Sequence, residues 1–493
     1  MAALSSRLAG ARSLGARLLV ALLAGVAGTA GSFAAAGFAP GFVVEPLASL
    51  ATRLLPGPVV TFVVLVFGSL GEQLAVVAAL VAAVGLLSLA ALVGLVVGER
   101  ASWPVGPPLA AVLVCGVAVA LTSAPVPSVA AGAGAGLVVA TSALGPRVVP
   151  GASPSRRRVL AGVAAGVGVT ALGAVLGSRR RGGATPGATG DRVRVERLLA
   201  EADAKSLDVP GLEPLVSESF YQVDVDPVDP TVAAEDWTLA ITGAVDRPVT
   251  VDYADLRSMA ADHRFVTLRC VGERLNGRKL DTALWTGVPL APLVERARPS
   301  ADRCCVVLRA ADGYYESFPI EALADAFLAY GMNGAALPRA HGFPARALVP
   351  GHWGEINVKW LTEIEVRERE AQSYWEQRGW HGTGPVETVA KLHVVNRDGG
   401  RVQVAGHAYA GTRGVDRVEV STDGGATWTD ARLSAPLPGD DVWRQWVHEY
   451  DAPGRRHEVV VRAVDGTGTR QPREERSPFP RGPTGWVTRT VGP

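Results

Sequence analysis

In this chain of 493 residues, the uneven distribution of acidic side chains is the feature that most constrains the fold. Before Asp191 the only acidic residues are Glu45, Glu72 and Glu99, and alanine, valine, leucine and glycine make up most of the rest. After Asp191 the composition is that of an ordinary soluble protein. Because long uncharged apolar segments are stable in a lipid bilayer, we predict an N-terminal membrane region followed by a large water-exposed region. The net charge of +1 predicts no nucleic-acid partner.

Five apolar stretches have about the length that a helix needs to cross a bilayer, roughly 20 residues. They lie at 16–38, 73–97, 107–123, 126–143 and 158–177. A sixth stretch at 57–70 is short and flanked by proline and glycine, which favours an interfacial or tilted segment over a sixth span. We therefore predict an α-helical transmembrane bundle of about five spans, with the lipid bilayer as its partner.

Arginines give the predicted orientation, since positive charge accumulates in cytoplasmic loops. With five spans, the arginines before the first span, after the second and before the last all lie on the cytoplasmic side. The C-terminal region is then outside the cytoplasmic membrane. The segment Ser-Arg-Arg-Arg-Val-Leu at 155–160 resembles a twin-arginine export signal, and a plain positive flank of the last span is the alternative.

Changes in composition predict four regions. Residues 182–190 are small and polar, typical of a flexible linker, and from about 385 short alternating strands dominate. We predict a transmembrane anchor at 1–178, a linker and lead-in at 179–214, a central α+β region at 215–384 and an all-β region at 385–493. The turn-bounded strands of the last region are typical of an immunoglobulin-like sandwich.

The four cysteines do not predict a disulfide framework. Cys115 lies in an apolar stretch, and Cys304 and Cys305 are adjacent in an apolar run that predicts a buried strand. Adjacent cysteines rarely bond each other, so we expect these two to fill the core. Cys270 ends a β-rich run at the mouth of a strand, where core filling is also the more common role for a lone cysteine.

The sequence downstream of Cys270 changes that expectation. Arg346 and Lys359 flank a glycine-rich loop, and backbone amides together with arginine and lysine make a cradle suited to a phosphate. A solvated surface pair is the alternative for these two cations.

Several motifs then occur in a specific order. They are Thr-Leu-Arg-Cys-Val-Gly at 267–272, Trp-Thr-Gly-Val-Pro-Leu at 285–290, Ala-Tyr-Gly-Met-Asn-Gly at 329–334, Leu-Pro-Arg-Ala-His-Gly-Phe-Pro at 337–344 and Val-Lys-Trp at 358–360. In this order they resemble the sulfite oxidase family of molybdopterin enzymes, from about residue 215 to the C-terminus. The resemblance implies a molybdenum–molybdopterin cofactor bound by the central region.

The resemblance also implies roles for individual residues. Cys270 is the thiolate ligand of the metal and a catalytic residue, and a soft thiolate suits a transition metal. Tyr314 is the active-site tyrosine, with Tyr315 one residue away as the other possible register. The remaining cofactor-binding residues are Phe220, Tyr221, His341, Arg346, Gly354, Lys359 and Trp360. Ordinary strand-edge aromatics are the alternative for the two tyrosines, and a turn histidine for His341.

This chain departs from the family at two positions. Sulfite oxidases hold the sulfite dianion with arginines, whereas the matching positions here are Gln222 and Leu275. Because charge-assisted pairs supply most of the affinity for a dianion, sulfite is in doubt as the substrate. Arg274 and Arg278 lie nearby in sequence. The sequence contains no cytochrome b5-like region and no Cys-x-x-Cys-His site, so a quinone or cytochrome partner is expected to carry electrons.

We therefore expect a membrane-anchored enzyme that moves two electrons and an oxygen atom on a small sulfur compound or an S- or N-oxide. A sulfite dehydrogenase proper and a non-catalytic scaffold that kept the fold are the alternatives. Segments at 406–411 and 418–425, with Trp428, resemble the dimerisation domain of the family, so a homodimer is possible. The predicted spans carry no charge near mid-bilayer, which argues against transport by the anchor itself.

Overall fold

The structure is a computed structural model that describes residues 2–56, 59, 62–63, 69–101, 105–144, 170, 189–225 and 228–492. It divides into two compact units. The first comprises Met1–Gly183 with Asp224–Thr231, and the second comprises Ala184–Val223 with Val232–Pro493.

Helices make up most of the described residues of the first unit. Its helices are α1 (Ala2–Ala36), α2 (Glu45–Leu54), α3 (Ser69–Ala101), α4 (Gly106–Thr122) and α5 (Pro125–Leu144). Alanines and valines of these helices form one buried apolar cluster, because small side chains let helices pack closely in an apolar environment. On Gly94 of α3, for example, a Cβ would lie 2.5 Å from the Cα of Ala110 in α4.

Three of these helices are long and apolar enough to cross a membrane. They are Leu14–Ala36, Gln73–Gly98 and Pro125–Ser142, whereas the apolar helix Gly106–Thr122 has only 17 residues. The described residues therefore support three of the five predicted spans. The predicted span at 158–177, apart from residue 170, and most of the segment at 57–70 lie outside the described residues.

The first helix of the second unit is α6 (Thr189–Lys205), at the start of the charged segment. Two short helices follow, α7 (Tyr253–Ser258) and α8 (Ala291–Glu295). The Asp252 carboxylate caps α7 by accepting a hydrogen bond from the amide of Asp255 at 2.7 Å.

Two five-stranded sheets form the central part of the second unit. Their strands are β1 (Thr238–Gly243), β2 (Val249–Asp252), β3 (Asp262–Arg269), β4 (Leu280–Pro289), β5 (Cys305–Ala310), β6 (Tyr315–Pro319), β7 (Phe327–Met332), β8 (Ala335–Ala336), β9 (Arg346–Leu348) and β10 (Leu361–Arg367). The first sheet has the order β2-β1-β10-β5-β6, with β1 and β10 parallel. In the second sheet β3-β4-β7-β8 run in order and β9 also pairs with β7.

The C-terminal part is β-rich. Its strands are β11 (Val389–Ala390), β12 (Val394–Asp398), β13 (Arg401–Tyr409), β14 (Val415–Ser421), β15 (Thr429–Asp430), β16 (Arg432–Leu433), β17 (Arg444–Asp451), β18 (His457–Asp465) and β19 (Val487–Val491). They form two antiparallel sheets, β11-β13-β17-β16 with β12 beside β13, and β15-β14-β18-β19. Residues of both sheets contribute to one buried apolar cluster around Trp446.

The prediction that Cys304 and Cys305 are unbonded was wrong, because the structure joins them in a disulfide. The pair lies where the chain enters β5, so Cys304 is outside the strand while Cys305 begins it. Cys305 is buried, as predicted. The rarity of bonds between neighbouring cysteines therefore did not hold at this strand end.

Candidate functional site

Cys270 directly follows β3, as the β-rich run that ends on this cysteine predicts. Its thiol is free, and its amide donates a hydrogen bond to the carbonyl of Lys279 at 3.0 Å. Burial raises the pKa of the thiol, and the nearby Lys279 opposes that shift. The thiol therefore lies at the start of a loop whose two ends, Cys270 and Lys279, are joined by this hydrogen bond.

Two further predicted residues lie beside this thiol. Burial raises the pKa of Tyr221 well above its usual value, and the charge of Cys270 adds to the shift. A Cβ on Gly354 would lie 2.8 Å from the Tyr221 hydroxyl and 3.1 Å from the carbonyl oxygen of Arg269. Gly354, at the start of the short 3-10 helix Gly354–Ile356, is therefore glycine because the backbone and Tyr221 approach each other here.

Phe220 connects Tyr221 to the predicted cofactor cradle. Its ring stacks on Tyr221 with centroids 5.4 Å apart and meets the rings of Trp285 and His341 edge-on at 5.5 Å. Asp281 holds this segment, since its carboxylate accepts from the Tyr221 amide at 2.7 Å. Sequence reasoning missed Asp281, because a single aspartate within a strand gives no signal of the segment that it will hold.

The predicted cofactor-binding residues His341, Arg346 and Lys359 lie together. The buried Arg346 donates to the carbonyls of His341 at 3.2 Å and Asn357 at 2.7 Å. Its guanidinium lies 5.3 Å from the centre of the Trp285 ring. Burial lowers the pKa of His341 to about 3, and the charges of Arg346 and Lys359 add to that shift. The alternative of a solvated surface pair does not fit a buried Arg346.

Backbone geometry brings these groups close. Gly342 has a positive φ of 110°, and a Cβ there would lie 3.0 Å from the Cα of Lys359 and 3.1 Å from the Cβ of Arg346. The Lys359 ammonium donates to the carbonyl of Ala340 at 2.9 Å. Trp360 is buried, and its indole donates to the carbonyl of Arg339 at 2.9 Å. Trp360 therefore packs against the loop around His341 and is hydrogen-bonded to it.

Tyr314 contacts Glu355, the residue that follows Gly354. Its hydroxyl lies 2.6 Å from Oε1 of Glu316 and 3.0 Å from the carbonyl oxygen of Glu355. The ring of Tyr315 instead faces Arg309, with the guanidinium 5.8 Å from the ring centre. Of the two tyrosines, Tyr314 is the one whose hydroxyl contacts the segment that contains Gly354.

Two buried carboxyl groups surround the Tyr314 hydroxyl, and sequence reasoning missed both. Burial and then the charge of Glu355 raise the pKa of Glu316 well above its usual value. Burial raises the pKa of Glu355 to about 8, and Glu376 adds to the shift. Glu355 is also close enough to raise the pKa of Cys270. Lys279 has the strongest charge effect on the Cys270 thiol and lowers its pKa, whereas Glu273 and, more weakly, Glu355 raise it.

The two positions that depart from the family do not add a cation. Gln222 is exposed, and Leu275 packs against the C-terminal apolar cluster, with Cδ2 3.2 Å from where a Cβ on Gly485 would lie. Arg274 and Arg278, whose directions the sequence left open, are both exposed.

Among the described residues, no group of three or more histidine, cysteine, aspartate or glutamate side chains could hold a metal ion. A metal at Cys270 would therefore take its other ligands from a cofactor. A free thiol, a cradle of cations and a close backbone approach at Gly354 are a donor set that fits an anionic cofactor with a thiolate-bound metal.

Comparison with known proteins gives the class of the enzyme. The oxidoreductase molybdopterin binding domain matches residues 226–375, and the Mo-co oxidoreductase dimerisation domain matches residues 385–477. These two matches define a molybdopterin-dependent oxidoreductase that uses a molybdenum–molybdopterin cofactor.

Curated relatives identify the family. Sulfite oxidase of Gallus gallus is 31% identical over 310 residues, which are 52% of this chain and 67% of that protein. Mitochondrial sulfite oxidase of Homo sapiens is 30% identical over 297 residues, which are 49% of this chain and 54% of that protein. The chain belongs to the sulfite oxidase family of molybdenum oxidoreductases. It spans about two thirds of the length of the chicken relative and about half that of the human one.

Among solved structures, the crystal structure of the sulfane dehydrogenase SoxCD from Paracoccus pantotrophus has a TM-score of 0.49 at 23% sequence identity. The match covers 60% of this chain and 90% of that chain.

Proposed function

We propose that this chain is a membrane-anchored enzyme in which the Cys270 thiolate binds molybdenum at the end of β3. The observation that carries the proposal is the arrangement around that thiol. Tyr221 lies beside it, and Gly354 leaves no room for a side chain there. Phe220 links Tyr221 to the cluster of His341, Arg346 and Lys359.

The chain's own residues would hold the pterin and its phosphate. Arg346 and Lys359 supply positive charge, while the low pKa of His341 keeps its imidazole neutral and able to donate one hydrogen bond. Phe220 and Trp360 supply aromatic surface beside these groups. When bound, the cofactor would supply two-electron chemistry and oxygen-atom transfer.

Tyr314 would act on the substrate beside Cys270. Burial, followed by the charges of Glu316 and Glu355, raises the pKa of Tyr314 well above its usual value, so the phenol keeps its proton at neutral pH. A neutral hydroxyl held by Glu316 Oε1 is oriented and can donate a hydrogen bond to an oxygen of the substrate once it turns from that partner.

The substrate is proposed to be a small sulfur compound or an S- or N-oxide without the double negative charge of sulfite. Gln222 and Leu275 stand where sulfite oxidases have arginines. A buried dianion without cationic partners is unfavourable. The second candidate is a sulfite dehydrogenase proper, which the names of the chicken and human relatives favour.

The proposed location is the outer side of the cytoplasmic membrane, with the chain crossing the membrane about five times. The disulfide between Cys304 and Cys305 supports an oxidising compartment for the second unit, since disulfides persist outside the cytoplasm. The arginine clusters on the predicted cytoplasmic side support the orientation. We keep the four regions 1–178, 179–214, 215–384 and 385–493 as the proposed domain division.

The proposed partners follow from the same features. A quinone or cytochrome would exchange electrons with the enzyme, because the sequence offers no haem site of the Cys-x-x-Cys-His type. The match to the dimerisation domain supports a homodimer through the C-terminal sheets, which we propose to be immunoglobulin-like.

A substrate comparison tests the proposal. The purified full-length enzyme, loaded with cofactor, is assayed with a neutral sulfoxide, an amine N-oxide and sulfite, using artificial electron donors or acceptors. The proposal expects a kcat/KM for the sulfoxide or the N-oxide that exceeds the value for sulfite. A kcat/KM highest for sulfite would instead establish the sulfite dehydrogenase.

A further inference from the structure

Lys391, Glu273 and Arg269 form a buried ion cluster that contacts the loop from Cys270 to Lys279. The ammonium of Lys391 lies 2.5 Å from Oε1 and 2.7 Å from Oε2 of Glu273, and Nε of Arg269 lies 3.0 Å from the same Oε1. The three side chains are 0%, 1% and 0% exposed, respectively. Arg269 and Glu273 flank Cys270 in the sequence, whereas Lys391 belongs to the C-terminal region.

The same cluster closes the loop from Cys270 to Lys279. The carboxylate of Glu273 accepts from the amide of Lys279 at 3.0 Å, and Lys279 in turn accepts from the amide of Cys270. Lys391 also donates to the carbonyl of Gly277 at 2.9 Å. One ammonium group therefore contacts the loop at two places.

Neighbours of Lys391 hold the loop as well. The side chain of Asn276 donates to the carbonyl of Leu392 and accepts from its amide, both at 2.9 Å. The imidazole of His393 lies 3.1 Å from the carbonyl oxygen of Gly277. Three consecutive residues, 391–393, thus bind the loop, and they lie in the part of the chain that matches the dimerisation domain.

Burying a lysine is costly, and apolar side chains of similar volume usually stabilise a core as well or better. A lysine with no exposure is therefore poorly explained by stability alone. What it provides here is a directional link between residues 391–393 and the loop of Cys270. Burial lowers the pKa of Lys391 to about 8, while Glu273 opposes the shift, so the ammonium is mostly charged at pH 7.

We propose that Lys391 is a positioning residue that fixes the Cys270 loop through Glu273, so that the C-terminal region sets the geometry of the metal ligand. The statement about the metal rests on the proposed role of Cys270 as ligand. The statement about the loop holds for the protein without cofactor.

The test compares Lys391→Met with the wild type and with Lys205→Met in the full-length chain. In Lys391→Met the pair of Arg269 and Glu273 stays balanced, so no single charge is left buried. Lys205 also pairs with a glutamate, Glu201 at 2.6 Å, and is the matched control.

The first measurement is the alkylation rate of Cys270 in cofactor-free protein, followed by mass spectrometry of its peptide. Because Cys304 and Cys305 are bonded, Cys115 is the other free thiol, and its peptide is distinct. We expect Lys391→Met to be alkylated at Cys270 about 10-fold faster than the wild type, since hydrogen bonds to a charged group are lost. We expect Lys205→Met to react at the wild-type rate.

The second measurement is the Mo(V) electron paramagnetic resonance spectrum of the loaded protein. We expect shifted g values in Lys391→Met and unchanged values in Lys205→Met, because groups behind a ligand orient it. Wild-type alkylation rates together with a wild-type spectrum in Lys391→Met would overturn the proposal. If the wild type takes up no molybdenum, the proposed function fails, and the alkylation rates still decide the role of Lys391.

Discussion

The hydroxyl of Tyr221 occupies the space into which a side chain at residue 354 would extend. A Cβ on Gly354 would lie 2.8 Å from that oxygen and 3.1 Å from the carbonyl of Arg269, the residue before Cys270. Three segments that are far apart in the sequence therefore meet within van der Waals contact at the proposed metal ligand.

A methyl group at this point is predicted to disturb the site. In Gly354→Ala either Tyr221 or the backbone before Cys270 must move, so we expect about 10-fold weaker retention of the cofactor. Molybdenum per chain after dialysis measures the effect. Gly384→Ala is the control, because a Cβ there has no atom of the described structure within 4 Å. Equal retention in both variants would mean that the contact with Tyr221 has no role in holding the cofactor.

Arg346 is predicted to be irreplaceable by lysine. Its guanidinium reaches two carbonyl oxygens and the face of Trp285 at once, and an ammonium cannot match that geometry. We expect Arg346→Lys to lower cofactor content about 10-fold. Arg264→Lys is the matched control, since Arg264 also lies over an aromatic ring, that of Phe327, at a partly exposed position. Cofactor content is measured by fluorescence of the oxidised pterin.

Two neighbouring tyrosines allow a clean comparison. Tyr314→Phe removes the hydroxyl held by Glu316, and we expect kcat to fall about 100-fold with molybdenum content unchanged. Tyr315→Phe, whose ring lies beside Arg309, is expected to keep the wild-type kcat. The reverse pattern would show that Tyr315 is the active-site tyrosine. Steady-state kinetics and metal analysis on the same preparations measure both quantities.

We expect the free energy of unfolding to depend on pH through the buried carboxyl group of Asp441. Burial raises its pKa to about 7, while the hydrogen bond from Tyr409 at 2.6 Å opposes the shift. The folded state therefore holds the proton more tightly than the unfolded state, in which the pKa of the carboxyl has its ordinary value of 3.8. Stability from this group is present below pH 4 and is lost as the pH rises from 4 to 7.

The variant Asp441→Asn lacks this loss. Relative to wild type, we expect it to gain up to about 1.4 kcal/mol of unfolding free energy for each pH unit between 4 and 7. Melting temperatures of both proteins across this range measure the difference. A difference that is constant with pH would show that Asp441 titrates normally in the folded protein.

The sequence predicted the positions of residues better than their contacts. The β-rich run before Cys270 placed this cysteine at the end of a strand, and the spacing of glycine and cations placed Arg346 and Lys359 around one loop. Local patterns suffice for such features, because strand ends and turns depend on neighbouring residues.

Contacts between distant segments could not be read in this way. Lys391 lies 118 residues from Glu273, and Glu355 lies 41 residues from Tyr314. A buried lysine or glutamate has the same letter as an exposed one, so only the fold reveals the pair. The disulfide of Cys304 and Cys305 was missed for a different reason. Bonds between adjacent cysteines are rare in general, and nothing in the sequence marks this pair as an exception.

The most direct test of the central claim is the molybdenum content of the purified full-length protein, produced in cells that make the pterin cofactor, compared with Cys270→Ser. We predict about one molybdenum per chain in the wild type, and in the variant an altered Mo(V) spectrum with loss of activity, because the thiolate ligand is replaced by a harder oxygen. A variant whose bound molybdenum has the wild-type spectrum, or a folded wild type with neither metal nor pterin, would contradict the assignment of Cys270 as the metal ligand.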